Sequence, residues 1–303
     1  MMPTDQTIAV VMTTYDGAAY LEAQLGSILS QTLQPEQIII CDDLSSDDTV
    51  AILEKYAAAD PRIRYHVNET RLGVIGNFKK AVSLATTDLI ALSDQDDIWV
   101  PEKLERLYEA ISTIDTPDTP VMVYSDLAVI DQHNNVLNPS FWNELGHDSY
   151  THCFQTILYG NFVTGCTILM NRNMQAHFLV MPEEVLMHDA WIGLIAFSFG
   201  RAAAIKQALV RYRRHGSNLA YTSTHRKKRL SERIWDHIRI LFTKKEYLED
   251  QLAFVRLFND TYEAKLSREQ AIQTAVILQL QHRSSLRKMM AFRRAFRGYR
   301  LSS

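Results

Sequence analysis

The chain is 303 residues long, 47% hydrophobic and 22% charged, with a formal net charge of −3. That is the composition of an ordinary globular protein with a sizeable core, and its acidic balance argues against a dedicated nucleic-acid binder. The longest apolar run, Ala190 to Phe199, is far short of the roughly 20 residues that span a bilayer. The first run, "IAVVM", is strand-sized rather than a leader, so the expectation is a cytoplasmic protein.

In chain order, Ile8 to Met12 predicts a strand, Ala18 to Ser30 an amphipathic helix, and "QIIIC" (Gln37 to Cys41) a second strand. A helix follows from about Ser46 to Ala59 with Ser45 or Ser46 as its cap, then the strand "IRYHV", a helix from Val74 to Leu84 and the strand "LIALS". Pro101, whose fixed φ suits a first helical turn, starts the next helix, which leads to "VMVYSD". Apolar strands alternating with helices predict an α/β fold, its parallel sheet covered on both faces. After Asp126 the rhythm changes. "LAVID" and "VL" flank "QHNN", a hairpin pattern because Asn tolerates positive φ. The strand "GCTILMN" (Gly165 to Asn171), a helix around "HDAWIGLIAFSFG" and the short strand "LVRYR" complete one mixed α/β domain over 1–223, with halves at 1–126 and 127–223.

From Thr224 onward, Leu230, Ile234, Ile238 and Leu241, then Leu248, Leu252 and Val255, recur at helical spacing, so 224–303 reads as a helical appendage. Its end is basic: from Ala271 to Ser303 there is no Asp or Glu, while Arg283, Arg287, Lys288, Arg293, Arg294, Arg297 and Arg300 are cationic. Leu286, Met289, Met290, Phe292 and Phe296 mingle with them at roughly helical spacing, which suits a helix on an anionic membrane surface. Cys41, Cys153 and Cys166 are odd in number and lack metal-ligand spacing, so they read as reduced thiols.

Ligands of open parallel sheets bind beyond the strands' C-terminal ends, and here those loops carry carboxylates. "TTYDG" follows the first strand, "DDLSSDD" the second and "DQDD" the fourth. Repulsion on that scale calls for a divalent cation or many backbone donors. The hard oxygens of "DQDD" suit Mg²⁺ or Mn²⁺ holding a diphosphate. It is not an EF-hand loop, because Ile98 and Trp99 stand where that motif needs Asp or Asn and then Gly. "RLGVIGNFKK" lacks the spacing of an ATP-hydrolysing P-loop, although its glycine turn can meet an anion at a helix N-terminus.

The order "VVMTTYDGAAYLEAQLGSILSQTL", "IIICDDLSSDDT", "NETRLGVIGNF" and "LIALSDQDDIW" resembles the N-terminal half of the family 2 glycosyltransferases, closely over Ile8 to Arg106 and loosely over Gly165 to Asn218. The resemblance implies a GT-A fold: a Rossmann-like mixed, mostly parallel sheet with helices on both faces. It also implies roles for individual residues. Thr13 and Tyr15 would contact base and ribose, Asp43 the base with Asp42 in support, and Arg71 the base or diphosphate. Asp94 and Asp96 match the family's D-x-D motif, with Asp96 the direct metal ligand and Asp94 nearer the ribose or the metal's waters. "MHDAW" stands where inverting members carry the catalytic base in a Glu-Asp pair, so Asp189 is the candidate base, and also a natural helix cap, with His188 in place of the Glu. "YRRHGSN" resembles a motif of rhamnosyltransferase-like members, in which His215 would complete the metal or diphosphate site and Arg213 or Arg214 would neutralise phosphate. Trp99, Trp142 and Trp191 are candidates for a sugar platform.

The implied activity is an inverting, metal-dependent transfer of a sugar from a nucleotide-diphosphate donor, dTDP-rhamnose first and a UDP-hexose next. The acceptor would be a surface polysaccharide such as O-antigen or a lipid-linked glycan, with the enzyme at the inner face of the membrane. The rivals are a sugar nucleotidyltransferase, which would release pyrophosphate, and a receiver-type cation-binding module, which would not need the second-half motifs.

Overall fold

A computed structural model of the protein describes residues 6–185, 187–215 and 249–283, and positions 287, 288, 290, 291 and 294. The chain forms two compact units, Met1–His147 with Phe162–Arg213, and Asp148–Asn161 with Arg214–Ser303.

The first unit holds the sheet. Its elements run β1 (Ile8–Thr14), α1 (Ala18–Leu29), β2 (Gln37–Asp42), α2 (Thr49–Ala59), β3 (Ile63–Val67), α3 (Gly73–Leu84), β4 (Leu89–Ser93), β5 (Ile98–Trp99) and α4 (Lys103–Ser112). They continue with β6 (Val121–Ile130), β7 (Val136–Asn138), α5 (Phe141–Leu145), then β8 (Leu169–Asn171), α7 (Arg172–Leu179), α8 (His188–Ser198) and β9 (Arg201–Arg213). The strand order is β3-β2-β1-β4-β8-β6-β9-β5, with β7 on β6. Neighbours among β3, β2, β1 and β4 are parallel, as are β6 and β9, while β8 runs antiparallel to both β4 and β6.

Alternation along the strands explains the two covered faces. Ile8, Val10 and Met12 of β1 join Ile38, Ile40, Leu89 and Ala91 in one cluster with Leu21, Leu25 and Ile28 of α1, Leu53 of α2 and Leu104, Leu107 and Ile111 of α4. The alternate residues Ala9, Val11, Ile39, Ile90 and Leu92 are buried as well, and α3 packs on β1 and β2.

Several boundaries depart from the sequence reading for local reasons. Helix α2 starts at Thr49, because Ser45 and Ser46 donate to Asp42 and Asp16 instead of capping it. Helix α4 starts at Lys103, since Pro101 O accepts from Thr32 N. The strand expected from Gly165 opens as a 3-10 turn over Gly165–Thr167, leaving β8 only Leu169–Asn171. The short "LVRYR" strand is the end of the 13-residue β9, which pairs with β6 from Arg201 to Arg213. The hairpin after Asp126 is present as β6 and β7, with Asn134 at φ +69°.

The second unit contains α6 (Phe154–Tyr159), α9 (residues 249–262) and α10 (Arg268–Leu278). Leu252, Phe254, Val255 and Phe258 of α9 are buried, and Gln251 Nε2 donates to Leu158 O at 3.0 Å. Ser267 and Gln270 form a capping box at the start of α10. The helical pattern from Leu230 to Leu248 and the tail residues Leu286, Met289, Phe292, Arg293, Phe296, Arg297 and Arg300 lie outside the described residues. Among the described residues no helix is long and apolar enough to cross a membrane.

Candidate active site

Parallel pairing puts the C-terminal ends of β2, β1 and β4 side by side, so the loops after Thr14, Asp42 and Ser93 share one rim. Of the two ways to relieve carboxylate crowding, the second loop uses backbone and hydroxyl donors. Asp42 is fully buried; Thr14 Oγ1 donates to its Oδ2 at 2.7 Å, Ser45 Oγ to the same oxygen at 2.5 Å and Ser45 N to Oδ1 at 2.8 Å. Asp43 receives Asn68 Nδ2 at 2.9 Å and Leu72 N at 2.7 Å on Oδ1, and Gly73 N at 2.9 Å on Oδ2. It thereby satisfies amides at the start of α3 that have no partner within the helix. Asp16 Oδ1 accepts from Ser46 N at 2.7 Å, and that amide first of all holds the Asp16 carboxyl below its usual range. Asp47 Oδ2 accepts from Ala18 N at 3.0 Å, and Gly17 N donates to Thr49 Oγ1 at 2.9 Å. These bonds stitch the first and second loops together.

Tyr15, 39% exposed, lies under the Arg71 guanidinium, 3.7 Å from the ring centroid, and Arg71 Nε is 3.9 Å from Asp43 Oδ2. Thr13 is half-buried on β1 opposite Cys41, two residues before Tyr15. Tyr15, Asp43 and Arg71 therefore gather at one place, with Thr13 near the end of β1 and Asp42 as the support of the loop.

The fourth loop is different. Asp94 and Asp96 are half-buried and Asp97 is wholly buried. Arg213 N donates to Asp97 Oδ1 at 3.2 Å, whereas Asp97 Oδ2 has no hydrogen-bond partner among the described residues. Burial first, then the charges of Asp96 and Asp189, raises the Asp94 carboxyl to about 7. Burial and the neighbouring Asp96 and Asp94 push Asp97 well above the carboxylate range. Lys103 is fully buried beside them; its Nζ donates to Cys166 O at 2.7 Å and stands 3.1 Å above the Trp99 ring, and burial lowers it to about 7.

One ligand atom each from Asp94, Asp97 and Cys166 lies within 4.8 Å of the others. Burial drives the Cys166 thiol far up, so it stays protonated and the donors are carboxylate oxygens. An orphaned buried oxygen in a cluster of hard donors fits a divalent cation such as Mg²⁺ or Mn²⁺. Asp97 joins Asp94 in this cluster, a role that its place outside the D-x-D spacing does not signal, and Asp96 contributes charge beside them.

Asp189 lies in the first turn of α8, after the cap position at Met187, so it is not itself the helix cap. Its carboxylate is buried; Gly165 N donates to Oδ2 at 3.0 Å and Ala190 N to Oδ1 at 2.6 Å. His188 points elsewhere. It is buried against Phe78 and Phe178, with centroids at 4.5 and 5.7 Å, and neither ring nitrogen has a hydrogen-bond partner among the described residues. Burial lowers its pKa to about 4, so it is a neutral packing element. Trp99, Trp142 and Trp191 are 2%, 4% and 0% exposed and belong to the core, not to a sugar platform.

Arg213, one of two arginines considered for phosphate, is instead a buried brace, its Nε donating to Asp96 O at 2.9 Å and its Nη1 to Asn134 Oδ1 at 2.6 Å. Arg214 and His215, both half-buried, follow β9 and belong to the second unit.

A parallel half joined to a mixed half through an acid-bearing loop is the GT-A class of fold. The family model "Glycosyl transferase family 2" matches residues 9–174, and the chain belongs to that family. A glycosyltransferase of Nostoc sp. is 26% identical over 217 residues, covering 70% of this chain and 66% of that protein. The UDP-Glc:alpha-D-GlcNAc-diphosphoundecaprenol beta-1,3-glucosyltransferase WfgD of Escherichia coli is 35% identical over 102 residues, 33% of this chain and 39% of that protein. The chain spans about two thirds of the length of the first curated relatives it matches. Residues 1–349 of S. aureus TarS in complex with UDP-GlcNAc superpose with a TM-score of 0.57 at 16% identity, covering 96% of this chain and 81% of that one, a likeness of fold.

The state of His188 has a measurable consequence. Its folded pKa of about 4 lies below the ordinary 6.5, so the unfolded chain takes up the proton first as pH falls. The stability it contributes is whole above pH 6.5 and is lost between 6.5 and about 4, roughly 3 kcal/mol in all. Urea unfolding across that range should show a shallower loss in His188→Leu than in the wild type; parallel curves would place His188 in contact with a partner or solvent.

Proposed function

We propose that the protein transfers a sugar from a pyrimidine nucleotide diphosphate to a glycan hydroxyl, with inversion at the anomeric carbon. The observation that carries this reading is the division of labour along the rim. Donors within the fold occupy Asp42 and Asp43, while Asp97 of "DQDD" keeps an oxygen without one among the described residues and Asp94 stands within electrostatic reach of Asp189. Tyr15 and Arg71 would flank the base, Thr13 would reach the ribose, and Asp43 would take a base N–H on its remaining acceptor site.

Asp94, Asp96 and Asp97 would hold Mg²⁺ or Mn²⁺, which when bound neutralises charge on the departing diphosphate. Asp189 would accept the proton of the acceptor hydroxyl while its oxygen bonds to the anomeric carbon and the bond from that carbon to the phosphate oxygen breaks. Gly165 N holds and aims this carboxylate, and its place in the first turn of α8 favours negative charge there. Arg214 and His215 keep the phosphate-neutralising and ion-completing roles that the family resemblance implies. The UDP donors in the names of WfgD and the TarS complex support a UDP-hexose ahead of dTDP-rhamnose.

The lipid-linked acceptor in the WfgD name, together with exposed Arg287, Met290 and Arg294, supports work at an anionic membrane surface. Liposome flotation should carry the full chain up to lower density with anionic vesicles, and a chain ending at Gln281 less so; equal flotation of the two removes the tail's role.

A donor panel assayed for nucleotide diphosphate release, with and without Mn²⁺, tests the reaction class. Release should require metal and acceptor, and Asp189→Asn should cut kcat by a factor of about 10² or more with donor binding kept. Pyrophosphate from a nucleoside triphosphate would instead identify a nucleotidyltransferase, and an undiminished Asp189→Asn would remove the base.

A further inference from the structure

The side chain between Asp94 and Asp96 has no part in the chemistry proposed above. Gln95 turns its amide onto the backbone of Tyr15: Tyr15 N donates to Oε1 at 2.9 Å, and Nε2 donates to Tyr15 O at 2.9 Å. Two residues exchange the same pair of bonds in an antiparallel ladder. Here a side chain plays one partner and spans from the fourth strand's loop to the first's. Both halves of the amide are used, so its orientation is set, and a carboxylate at this position could make only one of the bonds.

Gly17 supports the same arrangement from the other side. A Cβ at this position would stand 2.1 Å from Gln95 Oε1 and 2.3 Å from Cδ, with no other neighbour that close. Its φ of −106° is open to any residue, so a side chain here would displace the Gln95 amide rather than strain the backbone. Between the two, Asp16 holds φ +44°, an uncommon conformation for a non-glycine residue. The turn that presents Tyr15 is thus held by bonds from outside itself.

We propose that Gln95 is a positioning residue that locks the base-facing Tyr15 to the ion-facing Asp94 and Asp96, making base recognition and diphosphate recognition one rigid frame. The inference rests on the nucleotide-sugar reading above. Its mechanical logic is direct. The side chains of Asp94 and Asp96 leave the backbone on either side of Gln95, so fixing Gln95 fixes the turn that aims both carboxylates. The two bonds are exposed to water and individually modest. Their loss should therefore weaken the grip on the donor without unfolding the protein.

Isothermal titration with UDP and Mn²⁺ on wild type, Gln95→Ala, Gln95→Glu, Gly17→Ala and the Gly17→Ala, Gln95→Ala pair tests the proposal as a cycle. Each single change should weaken UDP by about tenfold, the size expected for a lost pair of modest bonds, with the thermal midpoint held. The paired variant should be no worse than Gln95→Ala, because the clash at residue 17 disappears with the amide. In turnover, the donor KM should rise while kcat holds. A Gln95→Ala that binds UDP like the wild type, or Gly17 and Gln95 effects that multiply in the pair, overturns the strut alone. A wild type without affinity for UDP or any other nucleotide diphosphate sinks the functional reading, and the strut's purpose with it.

Discussion

The structure turns on carboxylates that the fold does not neutralise. Asp97 is wholly buried with one oxygen lacking a hydrogen-bond partner among the described residues, and Asp94 sits close enough to share its field. Burying such charge is costly, and Lys103 offsets it only partly because burial also disfavours the lysine's own charge. Proton uptake is the fold's resting answer: the Asp94 carboxyl rises to about 7 and Asp97 well above its ordinary value, while the Lys103 ammonium falls to about 7. A divalent cation offers a stronger one, since it replaces those protons and meets hard oxygens at short range. A site that is electrostatically unfinished without a ligand is poised to bind one.

Everything around this cluster keeps its geometry while the charge remains unresolved. Lys103 Nζ reaches Cys166 O, and the adjoining Gly165 N reaches Asp189, so the turn at 165–167 touches both the start of α4 and the candidate base. Arg213 spans from Asp96 O to Asn134, tying the end of β9 to the loop after β4. The second loop commits its own carboxylates to the amides of α3 and to the hydroxyls of Thr14 and Ser45. Charge is consumed for structure in one loop and withheld in the next.

The strands and the acid-bearing loops were legible in the sequence because a continuous apolar run that ends abruptly in Asp fits a buried strand emerging at a polar rim and little else. What each carboxylate does was not. Whether Asp42 meets a cation or Ser45 depends on a loop that passes through Leu44 at φ +65°, and a leucine carries no signal for that conformation. Lys103 resembles any solvated lysine near the start of a helix, since only the packing of Trp99 and the turn at 165–167 buries it. The length of β9 was hidden because its first half, RAAAIKQ, is neither a continuous apolar run nor a clean alternation and is held by β6, far away in sequence. The tryptophans looked like candidates for a sugar platform because aromatic composition does not distinguish a rim from a core.

Whether Asp94 and its neighbours await a divalent cation can be read from Mn²⁺ binding, followed by electron paramagnetic resonance as a function of pH. With the Asp94 carboxyl raised to about 7, protons compete with metal below that pH, so affinity should climb by up to about tenfold per unit and level off above it. Affinity that does not change between about pH 5.5 and about pH 8, or the absence of any bound Mn²⁺, would contradict this picture of the cluster.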